Sequence, residues 1–212
     1  MLTMWPEPCL SISLAACCVM WKNTARRTIR DTMRATEVIK RLRAMFNRQS
    51  PAMEEIDLNE IAREVIALSA RDMREKFIVL EARLTPELPS VSGDRIQLQQ
   101  VILNMVLNGI EAMAEIEGRP RRLLVRTALV SEDMLTLSIL DAGVGIAADA
   151  ADKMFEPFFT TKRNGMGIGL SISRSIIENH GGRMWAVPND GPGATFAFSL
   201  PSLGKPTDRQ HT

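Results

Sequence analysis

The chain has 212 residues, of which 45% are hydrophobic and 24% are charged, which is typical of a soluble globular protein with one full domain and an appendage. Its formal net charge of +1 gives no global electrostatic reason to expect binding to nucleic acid or to a membrane surface. The three cysteines, Cys9, Cys17 and Cys18, lack the spacing of a disulfide framework or a zinc site, which favours a reducing cytoplasm.

The first predicted element follows a short apolar leader. Residues 9–21 form an apolar run that is too short to span a bilayer and lacks the preceding basic segment of a signal peptide, so we expect no membrane contact. A helix is predicted to begin at Lys22 and end at Arg48, because apolar residues recur at alternating three- and four-residue spacings along one seam. Its many basic residues allow a nucleic-acid arm, but we favour the solvated flanks of a helix that packs through its seam.

Three further elements precede the most informative helix. The Ser-Pro pair at residues 50–51 breaks the first helix. A second helix is predicted from Asp57 to about Arg74, because its apolar residues follow helical spacing. A strand at residues 76–84 and a turn at residues 85–93 follow.

The next helix, "QLQQVILNMVLNGIEAM", is apolar nearly all round. Asp94 is predicted to be its N-cap, with Gln97 as the capping-box partner. A narrow polar stripe runs along one side, at Gln97, Asn104, Asn108 and Glu111. A polar stripe on an otherwise buried helix indicates that a polar group faces it.

The second half of the chain alternates strands with one helix. The predicted elements are strands at residues 121–130 and 134–141, a long loop, a helix from about Ile168 to His180, strands near residues 183–188 and 193–201, and a tail at 204–212. The first two strands form a hairpin, and the second of them ends in Asp141. Helices followed by a sheet that one helix interrupts predict an α+β fold, a two-layer sandwich with a mixed, mostly antiparallel sheet.

Two glycine clusters flank the long loop, at Gly143 and Gly145 and at Gly165, Gly167 and Gly169. The second cluster opens into a helix, whose free N–H groups and dipole suit phosphates. Alone, this pattern is explained equally well by a tight turn. Combined with a strand-end carboxylate, which can accept from an exocyclic amine, and asparagine oxygens, which can bind Mg²⁺, it predicts a nucleotide site.

Four stretches now resemble a known family. In chain order, "NMVLNGIEAM", "DAGVGI", "FEPFFTTK" and "GMGIGLSIS" are similar to the N box, first glycine box, F box and second glycine box of the ATP-binding catalytic domain of sensor histidine kinases. That family belongs to the superfamily of gyrase, heat-shock chaperone and mismatch-repair ATPases, so the resemblance implies a Bergerat-type ATP-binding fold. The seam helix resembles half of the family's dimerisation and phosphotransfer hairpin. The implied division is an unmatched leader (1–21), a hairpin remnant (22–50), an ATP-binding catalytic domain (51–203) and a tail (204–212).

The resemblance implies a role for individual residues. Asn108 would bind Mg²⁺, Asn104 would lie beside it on the nucleotide side, and Asp141 would accept from the adenine amino group. The other implied residues are Gly143 and Gly145 at the adenine, Thr161 and Lys162 in the covering loop, Gly165, Gly167, Gly169 and Leu170 at the phosphates, and Thr195 at the far side.

Some positions keep simpler interpretations. Lys162 also fits a solvated surface lysine, and the phenylalanines of "FEPFF" fit hydrophobic latches for the loop. Ala142 stands where the family often has asparagine. His180 is expected to end its helix beside Gly181 and Gly182, where an imidazole can meet the last carbonyls.

The residue at Asn104 bears on the reaction. Hydrolysing members of the superfamily carry a glutamate there, whereas an amide cannot act as a general base. We therefore expect ATP hydrolysis to be poor and phosphotransfer to be the reaction. The acceptor histidine is missing, because the chain has two histidines, His180 and His211, and neither lies in the hairpin.

Two functions follow. The first is the Mg-ATP-binding catalytic part of a sensor histidine kinase, which phosphorylates a histidine that this chain lacks. We assign no side chain of this chain as a catalytic residue. It would form a homodimer or heterodimer through the seam helix and reach a response regulator through the full-length kinase, without nucleic acid. The alternative is a nucleotide-binding pseudokinase module that pairs with an intact kinase and modulates it.

Overall fold

The computed structural model describes residues 53–131, 133–147, 150–160 and 166–204. The leader, the seam helix that begins at Lys22 and most of the predicted tail lie outside the described residues. Thr161, Lys162, Gly165 and His211 also lie outside them. The predictions for these parts therefore remain predictions.

The described chain contains three helices and seven strands. In order they are β1 (Glu54–Ile56), α1 (Leu58–Glu75), β2 (Ile78–Arg83), β3 (Val91–Gly93), α2 (Arg95–Ala112), β4 (Arg121–Ser131), β5 (Met134–Asp141), a 3-10 turn (Lys153–Phe155), α3 (Gly169–Asn179), β6 (Arg183–Pro188) and β7 (Ala194–Pro201). Five strands form one sheet in the order β2-β4-β5-β7-β6. The β2–β4 pair is parallel and the other three pairs are antiparallel.

One face of this sheet is covered by the helices. Burial alternates along β5, so that Leu135, Leu137, Ile139 and Asp141 share the inner face. Helix α2 lies between α1 and α3 and packs against β5, which explains why it is apolar nearly all round. The predicted two-layer α+β sandwich with a mixed, mostly antiparallel sheet is confirmed.

The start of α2 matches the prediction in one respect and differs in another. The Asp94 carboxylate accepts from the backbone N–H groups of Ile96 and Gln97 at 2.9 and 3.1 Å, as an N-cap does. The capping box is wrong, because the backbone N–H of Asp94 donates to Nε2 of His180 at 3.0 Å. A side chain distant in sequence has taken the place of Gln97.

His180 ends α3 as the sequence predicted. Its Nδ1 lies 2.7 Å from the carbonyl oxygen of Ile176, Gly181 has a φ of +72°, and Gly182 N–H donates to the Ile177 carbonyl. Because Nε2 accepts from the Asp94 N–H, Nδ1 is the ring nitrogen that donates to the Ile176 carbonyl. His180 thus joins the end of α3 to the start of α2.

Two features were missed by sequence reasoning. Strands β1 and β3 form a small antiparallel sheet, with Ile56 opposite Val91, where we expected only a turn. Three-residue strands are too short to show an alternating pattern. A buried hydrogen-bond network also joins α1 to β4: the Thr127 hydroxyl donates to Asn59 Oδ1 at 2.7 Å and accepts from the Thr85 N–H at 3.0 Å.

Candidate functional site

Asp141 ends β5 with its carboxylate on the inner, helix-covered face of the sheet, and the residue is only 4% exposed. Its Oδ1 accepts from the Gly143 N–H at 2.8 Å, and the Ala194 N–H also donates to the carboxylate. Burial raises the pKa of Asp141, although these two hydrogen bonds and the charge of Arg119 act in the opposite direction. The carboxylate therefore lacks the solvation that an ionised group prefers, which suits it to accept from a ligand donor.

Glycines allow the backbone to close around Asp141. A Cβ on Gly143 would lie 2.7 Å from both the Ala112 carbonyl oxygen and Asp141 Oδ1. Gly193 has a φ of +96°, and a Cβ there would overlap the Asp141 carbonyl group. A Cβ on Gly145 would lie 3.2 Å from the Gly193 carbonyl oxygen. The first glycine cluster is thus needed by the protein's own packing.

Two polar side chains that sequence reasoning missed hold this region together. Arg119 donates to the Gly143 carbonyl oxygen at 2.7 Å. Asn189 donates to the Asp141 carbonyl oxygen at 2.9 Å and accepts from the Thr195 hydroxyl at 2.6 Å. Asn189 stands in the turn-like sequence "NDGPG", which signalled a loop and gave no sign of this contact.

Thr195 departs from its expected position. It lies directly opposite Leu140 in the β5–β7 ladder, and opposing residues share one face of a sheet. Since Asp141 follows Leu140, the Asp141 carboxylate lies on the other face. The neighbouring Ala194 contacts Asp141 through its backbone N–H, so the Thr195 side chain does not close the site.

Asn104 faces the start of α3. Its Nδ2 donates to the Ser173 hydroxyl at 2.9 Å, and that hydroxyl donates to the Gly169 carbonyl oxygen at 3.0 Å. A Cβ on Gly169 would lie 2.8 Å from Asn104 Oδ1, so the two elements touch closely. Ser173, which is buried, was not predicted as a site residue.

Helix α2 therefore passes both the second glycine cluster and Asp141. Asn104 lies at the second cluster, while Gly109 lies against the Asp141 side chain, where a Cβ would come within 3.4 Å of Asp141 Cβ. Half-buried Asn108 is one turn beyond Asn104 toward Asp141. Five residues separate Asn104 from Gly109, about 7.5 Å along the helix.

The backbone N–H groups at the beginning of α3 donate to no N-cap side chain. Its N-cap residue, Ile168, makes no side-chain capping hydrogen bond, and half-buried Leu170 lies in the first turn. Gly167, with a φ of +66°, accepts from the Phe158 N–H at 2.9 Å, so the F box docks on the second glycine cluster. Buried Phe155 contacts α3, with the Arg174 guanidinium 5.3 Å from its ring centre, as a latch would.

The described residues contain neither a metal-binding cluster of acidic, histidine or cysteine side chains nor a membrane-spanning helix. No group of three or more His, Cys, Asp or Glu side chains there could hold a metal ion by itself. No described helix is long and apolar enough to cross a membrane.

Sequence comparisons place this arrangement in a known group. Residues 93–204 match the family described as histidine kinase-, DNA gyrase B-, and HSP90-like ATPase. The chain is 42% identical over 176 residues to the sensor protein FixL of Bradyrhizobium diazoefficiens, a match that covers 83% of this chain. It spans only 34% of the length of that relative.

Solved structures agree. The catalytic domain of histidine kinase ThkA is 35% identical, with a TM-score of 0.63, and the match covers 71% of this chain and 95% of that one. ThkA in complex with the response regulator protein TrrA matches at 26% identity and a TM-score of 0.68, covering 93% of this chain and 53% of that one. The chain therefore belongs to the histidine kinase-, DNA gyrase B- and HSP90-like ATPase family, and its relatives are sensor histidine kinases.

Proposed function

We propose that the chain is the Mg-ATP-binding catalytic part of a two-component sensor histidine kinase, and that it transfers the γ-phosphate to a histidine that the given sequence lacks. The observation that carries this proposal is the position of helix α2, whose Asn104 meets the second glycine cluster and whose Gly109 lies against buried Asp141. These two contacts lie about 7.5 Å apart along the helix, and each lies beside a group that suits one end of a nucleotide.

At one end, Asp141 would accept from the adenine amino group. Oδ1 already accepts from Gly143, but an ionised carboxylate has further acceptor positions. A donor supplied by adenine would offset part of the unfavourable burial of the charge. Gly143 and Gly145 would shape the adenine pocket indirectly, because they let the backbone close around Asp141.

At the other end, the phosphates would lie at the uncapped start of α3, beside Gly167, Gly169 and Leu170, where backbone N–H groups and the helix dipole favour anions. Asn108 would bind Mg²⁺ through its amide oxygen, and phosphate oxygens would supply further ligands, as hard cations prefer. When bound, the metal would neutralise charge on the phosphates. Thr161, Lys162 and Gly165 would belong to the loop that covers them.

Transfer is favoured over hydrolysis by the chemistry of Asn104. An amide has no useful basicity, and this one already donates to the Ser173 hydroxyl. Water near the γ-phosphate would therefore lack a base at this position. ATP would persist until an acceptor histidine is presented.

The wider assembly follows from the family. The seam helix that begins at Lys22 would pair with a second copy or with a related kinase, and a response regulator would act through the full-length protein in the cytoplasm. The complex of ThkA with TrrA supports the response-regulator partner. Sedimentation at rising concentration should show a monomer–dimer equilibrium that Ile39→Lys combined with Leu42→Lys abolishes, and a strict monomer throughout would contradict the pairing.

A pseudokinase module that modulates an intact kinase is the second candidate. His180 does not distinguish this candidate from the kinase, because its two ring nitrogens are both occupied by backbone partners inside the fold and neither candidate uses it as an acceptor. That histidine is not available as an acceptor. Both candidates bind Mg-ATP, so they differ only in whether phosphate is transferred to a partner.

Calorimetric titration with Mg-ATP tests the shared claim. Asn108→Ala and Asp141→Asn should each weaken binding by about 1–3 kcal/mol, the effect of leaving one polar partner unmatched. Matched controls are Asn179→Ala and Asp72→Asn, which alter exposed residues elsewhere. Wild-type affinity in both site variants would refute the site.

A further inference from the structure

Ser173 occupies a special position between two helices. It lies in the second turn of α3 and is 2% exposed, although its side chain is polar. Its hydroxyl is 3.0 Å from the Gly169 carbonyl oxygen and 2.9 Å from Nδ2 of Asn104 on α2. One buried hydroxyl thus joins the N box to the second glycine cluster.

The single proton of this hydroxyl determines which way the Asn104 amide faces. The Gly169 carbonyl oxygen can only accept, so the Ser173 proton is directed at it. The hydroxyl oxygen is then left to accept, and the group on Asn104 that meets it must be the NH₂. The Asn104 oxygen is the atom of this amide that lies nearest to Gly169 at the start of α3: a Cβ on Gly169 would lie 2.8 Å from the oxygen and 3.2 Å from the nitrogen.

We infer that Ser173 is a positioning residue that fixes the Asn104 amide with its oxygen toward the phosphate end, so that the site favours metal-loaded over metal-free nucleotide. The inference rests on the proposed function. An amide oxygen attracts a cation, whereas an NH₂ group donates to phosphate oxygens. Without the hydroxyl, the amide can rotate and present its NH₂ to the nucleotide.

The test compares ATP affinity with Mg²⁺ and with excess EDTA. Ser173→Ala should weaken Mg-ATP binding about three- to tenfold, the typical effect of one hydrogen bond, and leave metal-free ATP binding unchanged or tighter. Alanine favours a helix, so the variant should fold, and its melting temperature checks this. Ser173→Thr, which keeps the hydroxyl, should retain the wild-type ratio of the two affinities.

Ser171→Ala is the matched control. Ser171 is two residues earlier in the same helix, and its hydroxyl donates to the Ile168 carbonyl oxygen at 3.0 Å. Its loss should leave the ratio of the two affinities unchanged. In an Asn104→Ala background, Ser173→Ala should have no further effect on that ratio, because the residue acts through Asn104.

Two results would overturn the inference. An unchanged ratio of the two affinities in Ser173→Ala, whether both affinities fall equally or neither falls, would show that the hydroxyl does not orient the amide. A further change of the ratio in the Asn104→Ala background would show that Ser173 does not act through Asn104. Failure of the proposed function is separate and visible: wild-type protein would not bind Mg-ATP, or Asp141→Asn would bind it as wild type does, and the inference would fall with it.

Discussion

The close packing of Gly193 on Asp141 can be tested with the substitution Gly193→Ala. The residue has a φ of +96°, and an added Cβ would overlap the Asp141 carbonyl group. Positive φ costs an L-residue about 1–2 kcal/mol. Forcing the backbone apart to admit a methyl group costs about 1–3 kcal/mol more. The free energy of unfolding should therefore fall by about 2–5 kcal/mol, the sum of those two ranges.

The same change should reduce nucleotide affinity. The Ala194 N–H that donates to the Asp141 carboxylate follows Gly193 directly, so moving the loop moves a group that holds this side chain. We expect Mg-ATP to bind at least about tenfold more weakly, as when a buried hydrogen bond is broken. Urea unfolding followed by tryptophan fluorescence, together with calorimetric titration, measures both effects.

Gly191→Ala is the control in the same loop. A Cβ there would meet nothing within 4 Å, and the residue does not have a positive φ. Alanine should therefore leave stability unchanged or raise it slightly by restricting the unfolded chain. If Gly193→Ala proved as harmless as Gly191→Ala, the close packing of this loop on Asp141 would be refuted.

Three other predictions concern the core, the pH response and the histidines. Thr127→Val should lower the free energy of unfolding by about 2–4 kcal/mol in urea titrations, because buried Asn59 loses its donor, and a wild-type urea midpoint would contradict the network. Burial raises the pKa of Asp141, so protonation stabilises the free fold below that pKa and the gain is lost as the pH rises through it. Mg-ATP binding needs the ionised form and should weaken on acidification at a higher pH than for an ordinary aspartate, a step that Asp141→Asn should lack in affinity titrations. The isolated chain should gain no acid-labile, base-stable label from γ-labelled ATP, since His180 lies at the end of α3 far from the phosphates, about 18 Å at ~1.5 Å per residue; label lost in His180→Ala would overturn this placement.

Local signals predicted most of the architecture. Periodicity and capping residues located α1, α2 and α3 to within a residue or two, and Asp94 was identified as an N-cap from its position alone. The polar stripe and Asp141 were chosen because polar residues in apolar surroundings need a partner. Each of these signals lies within one short stretch of the chain.

Contacts between distant segments were not predictable in this way. The backbone N–H of Asp94 donates to His180, and the Asn104 amide donates to Ser173. These partners stand 86 and 69 positions away in the sequence. Thr195 was misplaced because its face depends on the register with β5, which the sequence of β7 alone does not specify. Gly193 was not predicted as a site residue, since only the folded loop brings it against Asp141.

The proposed reaction is transfer of phosphate to a histidine that the given sequence lacks. The direct measurement mixes this protein and γ-labelled Mg-ATP with a partner that keeps the complete two-helix hairpin and its histidine but has lost its own metal-binding asparagine. We expect acid-labile, base-stable label on the partner, and loss of that label when this chain carries Asn108→Ala. An unlabelled partner, in a mixture where this chain is saturated with Mg-ATP and pairs with the hairpin, would contradict the kinase and leave the modulating module as the function.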